Sequence, residues 1–205
     1  MDFITHSLVG AATARLVTPR KELLPQATLA GIGGSMLMDS DSWLFFIGPD
    51  AYGRFHRVFT HCIWMLVFWV VLSAALVRVI GYVRVSRRFG WFLTANLAPE
   101  PISPRAPWGL LLLIAAVAAA MHWLGDVITG YGNLQPYWPF SKHEYSFDIV
   151  TSFDWFIFGV TFSYHLATRE LDWPRRKEAW LAGAWLAAVI SYLFIRHALG
   201  YGSVW

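Results

Sequence analysis

The pentapeptide His122-Trp123-Leu124-Gly125-Asp126 sets an imidazole and a carboxylate four positions apart. On a helix such a pair shares one face and can hold one ion. A neutral imidazole beside a carboxylate suits zinc or manganese. A buried His–Asp hydrogen bond would account for the pair equally well, so its meaning depends on the company it keeps.

Several other residues offer the same chemistry. His56 and His61 flank Arg57 and Thr60 in the sequence HRVFTH. Five helical positions lie about 140° apart, so His56 is expected to precede the helix that follows. Arg57 carries the planar fork that suits a phosphate oxygen, or else snorkels to the membrane interface; Thr60 is a further candidate catalytic group. Asp39 and Asp41 follow the glycine-containing stretch GIGGSMLM. In a regular helix their carboxylates would point about 200° apart. Either the helix ends there, capped by one of them, or one Asp receives the N–H of a ligating imidazole and orients it. His6 opens the first apolar segment.

After Asp126 the chain carries Gly130, Gly132, Pro136 and Pro139, which favour turns and stop helices. Residues 128 to 148 are therefore expected to form a loop over the site. Within it Tyr131 and Trp138 belong to an aromatic belt or flank a substrate. Asp148 and Asp154 stand six apart at the start of the next apolar segment; Asp148 joins Arg57 as a candidate substrate contact. Asp154, deeper in the segment, is the candidate ligand or general base.

The elements that position these groups belong to a membrane. Of 205 residues 57% are hydrophobic and 14% charged, against about a quarter charged in soluble domains. Residues 58 to 77 and 106 to 125 each run without Lys, Arg, Asp or Glu, long enough to cross a bilayer. Segments 149 to 168 and 179 to 195 are nearly as apolar. Segments 3 to 17 and 23 to 47 carry His6, Arg15, Asp39 and Asp41, so they are expected to pack against the bundle rather than face lipid. The reading is an all-α polytopic membrane bundle of about six helices, one domain over residues 1–205. No cleavable signal peptide is expected, because Met1, Asp2 and Phe3 begin no basic n-region. Cys62 is the single cysteine, so a metal site must use His and carboxylates.

Six alternating helices sort the connections onto two sides. Twelve of the 16 basic residues fall on one of them, including Arg20, Lys21, Arg84, Arg87, Arg88, Arg175, Arg176 and Lys177. Positive residues favour the cytoplasm, which places both termini outside. The net charge of +3 then reports orientation, and no nucleic-acid partner is expected. His6, Asp39, Asp41, His56, His61, His122, Asp126, Asp148 and Asp154 all come to the extracytoplasmic side. Ionisable groups at that depth are costly unless paired, hydrated or bound to metal, and metal is the simplest common cause.

Together these motifs resemble those of inner-membrane metal-dependent hydrolases of the YdjM type. That pattern is an early THxLxG, PDxDS, HRGxTHS, HxxxDxxTxYG with WPFS, and a final Asp. It stands here as THSLVG from Thr5, MDSDS from Met38, HRVFTHC from His56, HWLGDVITGYG from His122, WPFS from Trp138 and FDIVTSFD from Phe147. Met38 replaces a Pro and Val58 a Gly. HWLGD is also similar, more distantly, to a helix motif of the zinc-dependent phospholipase C and single-strand nuclease superfamily. The resemblance implies a metal-dependent phosphoesterase built within a membrane helical bundle and names no substrate; with the charge split, the expectation is hydrolysis of a lipid-headgroup phosphoester at the outer face of a bacterial or archaeal cytoplasmic membrane. Its expected ions are two or three of zinc, with manganese or magnesium as substitutes. His6, His56, His61, His122, Asp126 and one or both of Asp39 and Asp41 are assigned to metal. Two rivals remain: an ion- or proton-coupled transporter, and a non-catalytic protein with a structural metal.

Overall fold

The computed structural model describes residues 1–80, 105–129, 134–151, 153–170 and 174–201. Among them are seven α-helices and no strand beyond an isolated bridge between Thr129 and Val150. The helices are α1 (Phe3–Val17), α2 (Leu24–Met36), α3 (Pro49–Phe55), α4 (Ile63–Ile80), α5 (Trp108–Val127), α6 (Trp155–Glu170) and α7 (Arg175–Ala198). The basic residues Arg84, Arg87 and Arg88, the glycines Gly130 and Gly132, and Tyr131 lie outside the described residues.

The all-helical class agrees with the sequence. Three helical stretches among the described residues are long and apolar enough to cross a membrane: Ile63–Ile80, Trp108–Val127 and Lys177–Ala198. The described α1, α2 and α6 are 15, 13 and 16 residues long, below the range of about 17–25 residues for a span. The segment read as continuous from 23 to 47 stops being α-helical at Met36 and continues as a 3-10 segment, Leu37–Phe46. The connection read across 48 to 57 contains α3, which Pro49 begins after Gly48, at φ 153°. α4 begins at Ile63 rather than Val58, and α6 at Trp155 rather than Ile149.

Although it carries polar residues, α1 is the inner helix: Thr5 through Arg15 are all buried. Asp2 starts it by accepting from the Ile4 and Thr5 amides, satisfying donors that have no intrahelical partner. α1 lies against α2, and α2 against α5. A Cβ on Gly10 would come 2.4 Å from the Gly31 carbonyl oxygen, and one on Gly31 would come 2.2 Å from that of Gly10. At Gly34 it would meet the Ala115 oxygen at 2.5 Å. Small residues thus let three backbones touch, the usual device for helices that lack a hydrophobic driving force between them. That close approach brings the ends bearing His6, Asp39 and His122 together.

On α5 the buried residues Leu111, Ile114, Ala115, Ala118, Ala119, His122 and Asp126 follow helical i, i+3/i+4 spacing. The two polar groups therefore continue the core stripe. α4 buries Trp69, Val70, Ser73, Ala74 and Val77 and exposes Val67, Phe68 and Val71, a face suited to lipid.

Candidate metal centre

Met38, which stands where the resembling family carries a Pro, is fully buried against a cluster that includes Trp69, Val70, Ala115 and Ala119. It packs directly before Asp39, whose ψ of 17° departs from the helix. This kink resolves the spacing problem of the two aspartates, since both are buried on the same side as the histidines.

His56 ends α3 and precedes α4, as its spacing with His61 required. Between them the chain turns through Arg57, at φ 65°, a left-handed conformation that costs a non-glycine residue roughly 1–3 kcal/mol. Val58 is not among the residues of positive φ, so here the turn does not need a glycine at 58. The turn is fastened by the Trp69 indole N–H, which donates to the Thr60 carbonyl at 2.9 Å. The loop after α5 packs alongside it. The Gln135 amide donates to the Arg57 carbonyl, the Ile63 amide to the Pro136 carbonyl, and Phe59 and Trp138 meet edge to face.

At the centre, Asp39, His61, His122 and Asp126 bring one ligand atom each within 4.8 Å of one another, all buried. His61 Nε2 lies 3.1 Å from His122 Nε2, 3.1 Å from Asp126 Oδ2 and 3.4 Å from Asp39 Oδ1. His122 Nε2 lies 3.4 Å from Asp126 Oδ2 and 3.6 Å from Asp39 Oδ1. Donors about 2.0–2.1 Å from one ion at tetrahedral angles are about 3.3–3.4 Å apart. The observed edges match that size.

The two oxygens of Asp126 differ. Oδ1 accepts from the Met1 amino group at 2.6 Å and from Arg57 at 2.7 Å, and lies 3.1 Å from His6 Nε2. Oδ2 is buried and faces the two imidazoles, 3.1 Å from His61 Nε2 and 3.4 Å from His122 Nε2. A buried carboxylate is costly unless a protonated imidazole or a metal cation meets it. The buried Asp/His group can hold a metal ion, and its residues fit one.

Proton accounting supports that fit. The Thr60 hydroxyl donates to Asp41 Oδ2 at 2.8 Å, so toward His61 Nδ1, 2.9 Å away, it can only accept. His61 therefore keeps its proton on Nδ1 and turns Nε2 to the cluster. This residue precedes the α4 span. Burial lowers its pKa, but the Asp126 and Asp39 carboxylates outweigh burial and hold it at about 9. A metal ion at Nε2 displaces the proton those carboxylates otherwise retain.

Asp39, Asp41 and His56 form a second group within the same 4.8 Å limit, sharing Asp39 with the first. Asp41 already accepts from Thr60 and meets His56 Nδ1 at 2.9 Å, so in this geometry it orients both. His6 lies outside these two groups. It stacks on His122 at 3.6 Å between ring centroids and backs Asp126 from the far side. No hydrogen bond reaches His122 Nδ1; the His6 ring is what braces it.

The structure places Asp154 apart from the cluster. Its Oδ1 accepts from the Phe156 and Ile157 amides at the start of α6, and its Oδ2 from the Tyr192 hydroxyl at 2.7 Å. Those contacts make it a helix cap and an α6–α7 tie, outside both groups. Asp148 also lies outside them, at φ 51° beside Ser146. Sequence reasoning missed the bracing role of Trp69, for which an apolar helix offers no signal.

The model of the YdjM inner membrane protein family matches residues 1–200. The chain is also 27% identical over 164 residues to YfhP, an uncharacterized protein of Bacillus subtilis (strain 168). That match covers 77% of this chain and 43% of the relative, so the chain spans less than half the length of the curated relative it matches. No solved structure matches it.

Proposed function

The chain belongs to the YdjM inner membrane protein family, and from that membership and its buried Asp/His cluster we propose that it is a membrane-bound, metal-dependent phosphoesterase. The observation that carries the proposal is the buried cluster of Asp39, His61, His122 and Asp126, in which Asp126 Oδ2 faces the Nε2 atoms of both His61 and His122. Asp39, His61, His122 and Asp126 would hold the first ion, and Asp39, Asp41 and His56 a second. Zinc best suits this mixed set, with manganese next. When bound, such an ion supplies a water of pKa about 7 and positive charge for phosphoryl oxygens.

The chain's own residues have separate parts. Thr60 fixes the His61 tautomer, and Asp41 fixes Thr60. Arg57 holds Asp126 and sets a permanent cation beside the site, where it favours an anionic substrate. Trp138, packed on Phe59, flanks the approach. The substrate class is the phosphoester of a lipid headgroup in the outer leaflet, with the site extracytoplasmic.

The test is metal analysis of purified protein, followed by phosphatase and phospholipase assays on bacterial lipid extracts. The proposal expects near-stoichiometric zinc or manganese, and lipid cleavage that chelator abolishes and metal restores. Activity in a metal-free preparation would end it. One observation favours a second reading: four buried protein donors at tetrahedral spacing also describe a closed structural site. Stoichiometric metal with no cleavage of any extract would select that reading.

A further inference from the structure

We propose that residues 43–47, the limb that follows the two metal-site aspartates, lie within the membrane interface and seat the site at headgroup depth. Trp43, Phe45, Phe46 and Ile47 are all exposed, Phe46 at 91%. Four large apolar side chains in five positions of a 3-10 segment and its cap are what a bilayer surface, rather than water, accommodates.

The occupant follows from continuity with the span. α4 has 18 residues and rises about 27 Å, close to the roughly 30 Å of a hydrocarbon core. Its first residue, Ile63, then stands at the hydrocarbon boundary on the site's side. Exposed Ile63 and Trp64 start the lipid-facing surface of α4. Phe59, half exposed, stands just before it. The limb also connects to the site through its rings. Phe46 meets Phe45, Phe45 meets Tyr52, and Tyr52 stacks on His56 with centroids 4.4 Å apart. Beyond the limb the chain turns polar, with Asp50 and Arg54 exposed on α3. An apolar limb with a charged tip is the pattern of a segment lying in the interface with its end in water.

A lipid surface is thus the partner of this face. The consequence for substrate, that headgroups reach the ions laterally, rests on the proposed function; the placement of the limb rests on the span alone.

Depth-dependent fluorescence quenching in anionic lipid nanodiscs tests the placement without any activity. Phe46→Cys and Asp50→Cys are each labelled with an environment-sensitive fluorophore. Cys62 is buried, and unsubstituted protein carried through the same labelling measures any background from it. The Phe46→Cys label is expected to be quenched severalfold more by lipid spin-labelled high on the acyl chain than by aqueous iodide, and the Asp50→Cys label the reverse. Equal iodide quenching at both positions would overturn the proposal. So would a Phe46→Cys label shielded from both quenchers, which assigns this face to a second copy of the chain.

Discussion

Two buried aspartates stand at neighbouring helix ends, one at the end of α5 and one just before α6, and they have opposite surroundings. Asp126 is 1% exposed and Asp154 4%. Asp154 has both oxygens occupied by donors, two helix amides on one and a tyrosine hydroxyl on the other. Asp126 has three nitrogens on one oxygen and only imidazoles facing the other. Burial and residue type are the same in both; what would separate a metal ligand from a helix cap is a carboxylate oxygen left facing imidazole nitrogens rather than amide or hydroxyl donors.

The largest expected effect tests that distinction directly. Asp126→Asn keeps the side-chain volume and removes the charge. Metal affinity should fall by more than the roughly 10–100-fold that loss of an outer partner costs, so that elemental analysis finds little metal, and His122→Ala should match it. Asp154→Asn should retain wild-type metal. Equal metal loss in Asp126→Asn and Asp154→Asn would erase the contrast, provided each variant elutes as a folded species.

The sequence could not make the distinction, for a physical reason. Its signals were side and spacing. Those sufficed to gather His61, His122, Asp39 and Asp126, because apolar runs and helical period fix which end of a helix a residue occupies. Side alone also gathered Asp154, since a cap at a helix start and a ligand at the same depth read alike. Capping depends on where α6 begins, and apolarity placed that start at Ile149, six residues too early. The kink at Asp39 and the helix α3 were equally hidden, because an apolar run does not say where α-helix gives way to 3-10. The core was more legible. The glycines of GIGGSMLM mark close approach, although only the structure pairs Gly31 with Gly10 and Gly34 with Ala115.

An intermediate effect is expected at Thr60. Thr60→Val keeps the shape but removes the hydroxyl that accepts from His61 and donates to Asp41. His61 can then present the wrong tautomer to the cluster. Metal affinity, measured by competition with a chelating dye, should drop about 10–100-fold. Thr60→Ser should restore most of it. Unchanged affinity in Thr60→Val would show that the ring is held by packing alone.

The smallest effect belongs to the other aspartate and concerns stability rather than metal. Asp154→Ala removes a cap from two amides of α6, which costs about 0.5–2 kcal/mol. It also removes the acceptor of Tyr192, whose hydroxyl then has Arg196 as its remaining neighbour. Tyr192→Phe removes the tie to Asp154 and the acceptor of Arg196 while sparing the α6 cap, and should cost about 0.5–1.5 kcal/mol. The double variant should lose little more than Asp154→Ala alone, because the two changes delete one shared hydrogen bond. Thermal denaturation in detergent, followed by helical circular dichroism with metal content measured in parallel, checks this. A destabilised Asp154→Ala that keeps its metal beside a metal-poor Asp126→Asn establishes the separation of roles, whereas an Asp154→Ala of full stability removes the structural explanation for that residue and returns it to the candidate ligands.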